Sequence, residues 1–218
     1  CYARPGEYTH SITINYVGKD GSVLQEPYSV TEDDGYSYSF TFGSGKIPRV
    51  IVKDGTNYVF NCFTKGGDAL SGTLKADVVI SAEYLPDSDK DGTPDEYEAT
   101  VTYKVENGFW SDGTNADKKE EFDLKKFDAD SLTWVAAEPE LGDTIPTGMT
   151  PDSSHLAIGS WDADIRDNTP VIGGKVYTYT FDTAIAPALT VEKTVFSVGG
   201  VEVADQSAVP AAVLGGVI

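Results

Sequence analysis

Ser11-Ile-Thr-Ile-Asn-Tyr-Val17, followed within a few residues by Asp20-Gly21, decides how this chain is read. Apolar and polar side chains alternate with a period of two, which sets one face of an extended strand against a core and the other in water. Asp-Gly after such a run signals a hairpin, because the turn residues must accept positive φ. The same grammar recurs downstream. Tyr36-Ser-Tyr-Ser-Phe-Thr-Phe42 alternates aromatic with hydroxyl, which predicts a strand. Arg49-Val-Ile-Val-Lys53 leads through Asp54-Gly55 into Thr56-Asn-Tyr-Val-Phe60, a second hairpin, and Val78 to Tyr84 closes the block. No stretch here reads as a helix longer than two turns.

A second block opens at Tyr97. Val101, Tyr103 and Val105 share one face of a strand, Asn107-Gly108 and Asp112-Gly113 are turn signals, and Glu121-Phe-Asp-Leu124 is a short strand. Residues 139–151 read as loop, and Ala157 to Asp162 and Lys175 to Phe181 complete the block. The opening strands at Ile12 and Val101 lie 89 positions apart, which predicts a divergent repeat of domain size. After Ala184 to Leu189, a linker, Thr190 to Phe196 begins a third alternating segment. The expected organisation is a tail over residues 1–6, a first module over 7–86, an Asp-rich linker over 87–98, a second module over 97–183, and a linker with the truncated start of a third module over 184–218.

Composition narrows the function. The 218 residues hold 16 Lys and Arg against 35 Asp and Glu, a formal charge of −19 that repels phosphate backbones and anionic membranes. No run approaches the ~18 apolar residues that a membrane span needs. With 40% hydrophobic and 11% aromatic residues the chain is too apolar to stay disordered. Met149 is the sole methionine, no secretory leader is legible over Tyr2 to Gly6, and the last residues stop inside an apolar run, so the chain reads as a piece of a longer protein. Cys1 and Cys62, 61 positions apart, make no disulfide framework; they read as a ragged terminal cysteine and one buried thiol, with pairing between them left open.

The sharpest chemical motif joins the two blocks: Asp87-Ser-Asp-Lys-Asp-Gly-Thr-Pro-Asp-Glu-Tyr-Glu98. On a twelve-residue calcium loop, Asp87, Asp89 and Asp91 occupy positions 1, 3 and 5, and Gly92 the sharp turn at 6. Thr93 offers its carbonyl at 7, Asp95 stands at 9 and Glu98 at 12. So many carboxylates in twelve residues repel one another until a cation sits among them. The competing reading is a solvated acidic linker. Position 8 is Pro94 rather than a branched apolar residue, and the flanks are strands rather than helices, so no helix-opening switch is expected. The motif is similar to the helix-free Asp-rich loops of thrombospondin type 3 repeats and related bacterial surface linkers. With ~2 mM calcium and a dissociation constant of ~0.1 mM, binding adds about 1.8 kcal/mol to the ordered linker, enough to stiffen a joint and too little to fold a domain.

Both blocks carry resemblances. Residues from about Thr9 to Tyr84, through Ile12-Thr-Ile-Asn-Tyr-Val-Gly-Lys-Asp-Gly21 and Gly72-Thr-Leu-Lys-Ala-Asp-Val-Val-Ile80, resemble a MucBP-type (mucin-binding protein) repeat. Residues from about Tyr97 to Phe181 resemble the β-grasp repeats of listerial internalins and related Gram-positive surface proteins, through Gly142-Asp143, Pro146-Thr147, Gly159-Ser-Trp-Asp162 and Gly174 to Phe181. Leu189-Thr-Val-Glu-Lys-Thr-Val195 is similar to the first strand of pilin-type immunoglobulin-like domains, some of which use such a lysine, here Lys193, in an isopeptide. The resemblances imply a mainly β fold of two small β-grasp-like modules and the start of a third, immunoglobulin-like one. They imply an extracellular, non-catalytic stalk or adhesion segment, attached to a bacterial cell wall through regions outside this piece; no LPxTG sorting signal stands in it. The implied partners are calcium and a host glycan or protein.

Enzyme readings find little to build on. His10 and His155 stand near no pattern implying a triad, and no glycine-rich phosphate loop joins a strand to a helix. The alternative function is glycan or mucin binding. Trp110, bracketed by turns in Asn107-Gly-Phe-Trp-Ser-Asp-Gly113, is the residue for it: an exposed indole there stacks on a sugar ring. The stalk reading instead expects Trp110 in the core. Trp161 reads as core, and Trp134 is ambiguous.

Overall fold

In a computed structural model, residues 8–183 are described throughout, and beyond them only a short strand pair, Ser197–Val198 with Val201–Glu202. Cys1, the start of the third module and Lys193 lie outside the described residues. The chain divides into two units, 1–183 and 184–218. The fold of the described residues is mainly β, with no α-helix among them.

The first sheet draws on β1 (Thr9–Gly18), β2 (Val23–Asp33), β3 (Ser37–Ser39), β4 (Val50–Lys53), β5 (Thr56–Lys65), β6 (Ser71–Thr73) and β7 (Val78–Asp87). Its order is β2-β1-β7-β5-β4, with β3 and β6 forming a separate two-stranded pair. β1 and β7, the first and last strands, lie side by side and parallel, in register from Ile12 opposite Val78 to Gly18 opposite Tyr84. The alternation read from the sequence is realised: Ile12, Ile14 and Tyr16 point into the core, as do Ile80, Ala82 and Tyr84. Two buried tyrosines pin the intervening loop over the sheet, Tyr16 donating to the Lys46 carbonyl at 2.7 Å and Tyr84 to the Pro48 carbonyl at 2.8 Å. Burial holds the Tyr84 phenol far above its ordinary titration range.

Asp54-Gly55 forms the two-residue turn that the sequence predicts, both residues at positive φ (51° and 84°). The Asp20 turn is built differently. Only Gly21 has positive φ, and the Asp20 carboxylate accepts the Ser22 amide at 2.9 Å. The sheet also curls. The Lys53 ammonium on one edge strand reaches the Val23 carbonyl on the opposite edge strand at 2.6 Å. The alternating run Tyr36–Phe42 is strand only over Ser37–Ser39, because Phe40 and Phe42 turn in against the core and the following residues fold into turns.

The second sheet draws on β8 (Glu98–Glu106), β9 (Gly108–Phe109), β10 (Lys118–Asp123), β11 (Lys125–Asp128), β12 (Thr133–Ala136), β13 (Thr150–Pro151), β14 (His155–Trp161) and β15 (Val176–Thr183). Its order is β10-β8-β15-β14. Again the opening and closing strands are parallel neighbours, from Thr102 opposite Val176 to Glu106 opposite Thr180. Val101, Tyr103, Val105, Trp110, Leu141, Tyr177 and Phe181 form its core. The β11–β12 hairpin leaves this sheet and packs on the first: Phe127 lies 5.4 Å from Phe42 and 6.1 Å from Phe60, Leu132 joins the same cluster, and the Trp134 indole N–H donates to the Phe60 carbonyl at 3.0 Å.

Candidate metal centre

The Asp-rich loop begins on the last residue of β7 and ends on the first of β8, so each sheet fixes one end of it. Asp87 is fully buried, and its two carboxylate oxygens accept the amides of Lys90 (2.7 Å) and Gly92 (3.2 Å). The Asp89 carboxylate accepts the Asp91 amide at 3.3 Å and the Asp91 carboxylate accepts the Thr93 amide at 2.7 Å. These bonds wrap the backbone inward, and the wrap passes through Gly92 at φ 100°, where a side chain would be strained. Each accepting oxygen keeps a second lone pair for a further partner.

One oxygen from each of Asp87, Asp89 and Asp91 lies within 4.8 Å of the others. The same holds for Asp89, Glu98 and Glu121, and for Asp91, Glu98 and Asp123. Two oxygens that share a calcium ion, each about 2.4 Å from it, stand at most about 4.8 Å apart, so the spacing within each group suits a hard cation. Glu121 and Asp123 come from β10, where Asp123 pairs directly across from Glu98 and Glu121 across from Thr100. Glu98 is the strained member. Its Oε1 is fully buried and meets no hydrogen-bond donor among the described residues. Burial first, then the facing Glu121 carboxylate with Asp91 and Asp89 behind it, push its carboxyl up to about 8. Burial likewise raises Asp87.

Of the ligands expected from the sequence, the structure brings together Asp87, Asp89, Asp91 and Glu98. Asp95 turns elsewhere: its carboxylate takes the amide and hydroxyl of Ser88, both at 2.6 Å. Thr93, inside the loop, is buried, and its amide is held by Asp91. Glu121 and Asp123 escape a reading by loop spacing, because cross-strand pairing and not sequence proximity carries them to the cluster. The alternation of Glu121-Phe-Asp123 did place both acids on one face, which was the available signal.

Trp110 corrects an expectation. It is 1% exposed, its indole N–H donates to the Ala116 carbonyl at 2.8 Å, and Lys118 lies above the ring, 5.5 Å from its centre. A ring so enclosed offers no face to a sugar. It is buried because the Gly113 turn folds the segment back over it, the Gly113 amide bonding the Trp110 carbonyl at 2.9 Å. Both histidines are engaged by carboxylates, His10 with Asp34 at 3.3 Å and His155 with Asp152 at 2.6 Å. Cys62 is half-buried, and burial raises its thiol. No helix among the described residues is long and apolar enough to cross a membrane.

No protein-family model and no curated protein matches the chain. Among solved structures it aligns with one titled "Crystal structure of Mub-RV", at 12% identity and a TM-score of 0.17, over 79% of this chain and 99% of that one; similarity at that level indicates neither fold nor function.

Proposed function

We propose that this chain is a non-catalytic stalk segment of an extracellular bacterial cell-surface adhesin, in which calcium stiffens the joint between two β modules. The observation that carries the reading is the convergence at that joint of carboxylates from both sides: Asp87, Asp89 and Asp91 at the end of the first sheet, and Glu98, Glu121 and Asp123 on adjacent strands of the second. The buried, donor-free Glu98 oxygen is what a cation would satisfy. Calcium prefers six to eight hard oxygens; one of these carboxylate groups, completed by loop carbonyls and water, would supply them. The ion would neutralise mutual repulsion at the point where one sheet hands over to the next. The cell-surface setting, with attachment through other regions of the protein and a host glycan or protein as the adhesive partner, rests on the resemblance of the two blocks to surface repeats.

The test is calorimetric titration of the full chain with calcium, beside an Asp89→Ala/Asp91→Ala variant. Saturable binding near one ion per chain, lost in the variant, is the expected result. No heat up to about 5 mM calcium, above the range of extracellular modules, would sink the metal site.

A further inference from the structure

Each sheet sets its first and last strands side by side and parallel: β1 with β7 over seven residue pairs, β8 with β15 over five. In both, the chain enters at one end of the pair and leaves at the opposite end. Tension along the chain therefore drags β1 and β7 past one another along their own axes, and does the same to β8 and β15. The ladder bonds of a parallel pair are evenly spaced and lie across the strands, so such a pull loads them together. Had these strands been antiparallel neighbours, both ends would leave from the same end of the ladder and the bonds would open singly.

Side chains reinforce the same plane. Sliding β1 against β7 pulls Ile12, Ile14 and Tyr16 away from Ile80, Ala82 and Tyr84 and exposes their apolar surface to water. It also breaks the bonds that Tyr16 and Tyr84 make to the Lys46 and Pro48 carbonyls. In the second sheet, Tyr103 stacks near Tyr177 at 6.1 Å, across the β8–β15 pair. The Asp87–Glu98 loop lies in series between the two pairs, so one pull reaches both.

We propose that both sheets are tension-bearing units, with β1–β7 and β8–β15 as consecutive load paths. The proposal deepens the stalk reading and rests on it only for the source of the force; calcium plays no part in it. The test is single-molecule pulling of the full chain in chelator, in a Cys1→Ser/Cys62→Ser background. One variant is held through Tyr8→Cys and Thr183→Cys, which shear both pairs. The other is held through Ser22→Cys and Asp54→Cys, exposed turn positions at one end of the first sheet, where a pull peels the edge strands β2 and β4 bond by bond. The expected result for the first is two cooperative ruptures, each releasing on the order of 25 nm of chain. Rupture force in the second should fall by about half or more at equal pulling speed. Equal forces in the two geometries, or a first variant that extends in many small low-force steps, would overturn the proposal. Because the pulling is done without calcium, a failed calorimetric titration leaves this result standing, and the reverse also holds.

Discussion

The two sheets share a central parallel pair and differ in how their cores are completed and charged. The second closes its own core, with Trp110 and Leu141 delivered from loops onto Val101, Tyr103 and Tyr177. The first borrows: Phe127 and Leu132 from the other sheet's hairpin pack on Phe42 and Phe60, and Trp134 caps the Phe60 carbonyl. Charge is also divided unevenly. Residues 8–87 hold six Lys and Arg against ten Asp and Glu, while residues 98–183 hold seven against 17. One architecture thus serves two tasks. The near-neutral sheet receives a neighbour's aromatics, and the acidic sheet supplies both that hairpin and half of the carboxylate cluster.

The comparison is broken most forcefully at Trp110. Trp110→Ala should cost about 3–5 kcal/mol and lower the melting temperature by on the order of 10 °C, as seen by thermal denaturation, because among the described residues no side chain from outside residues 98–183 packs on that core to refill the space. Trp134→Ala, a half-buried ring, should cost about 2 kcal/mol. Its signature is remote: hydrogen exchange should quicken at β5 amides around Phe60, in the sheet that Trp134 does not belong to. Unchanged protection there would mean that the first sheet needs no loan.

Smaller effects sharpen the electrostatic half. Asp123→Asn removes a like charge directly opposite Glu98. In chelator the variant should gain about 0.5–1 kcal/mol by urea denaturation, and in millimolar calcium the gain should vanish or reverse. The smallest effect is on acid stability. The Thr114 hydroxyl and amide, then Lys118, hold the Asp112 carboxyl down to about 2. A depressed folded pKa stabilises above the unfolded value near 4, and that contribution is lost as pH falls from about 4 to about 2. Asp112→Asn should flatten this limb of the pH–stability curve. Asp112 is exposed, so the change is one of slope.

What the sequence displayed and what it concealed divide along the same physical line. Strands β1, β7, β8 and β15 were legible because alternation reports burial locally, residue by residue. So was Asp54-Gly55, whose φ values follow from the residues themselves. The alternation of Tyr36–Phe42 misled as to strand length, because Phe40 and Phe42 gain burial from a turn instead of from a ladder. Asp87, Asp89, Asp91, Asp95 and Glu98 were all visible in the loop spacing, but Asp95 is drawn off by Ser88. Glu121 and Asp123 reach the cluster only through pairing of β10 with β8, and Trp134 finds Phe60 across 74 positions of chain. Contacts of that range leave no periodic trace.

The curl of the first sheet has its own consequence. An open five-stranded sheet offers two bare rows of amides and carbonyls to any passing strand, a hazard that grows with local concentration. Here the Lys53 ammonium on one edge strand bridges to the Val23 carbonyl on the other, so at that end the two edges are tied and a charged side chain stands at the seam. Copies of this chain crowded together would find that end of the sheet a poor template for one another.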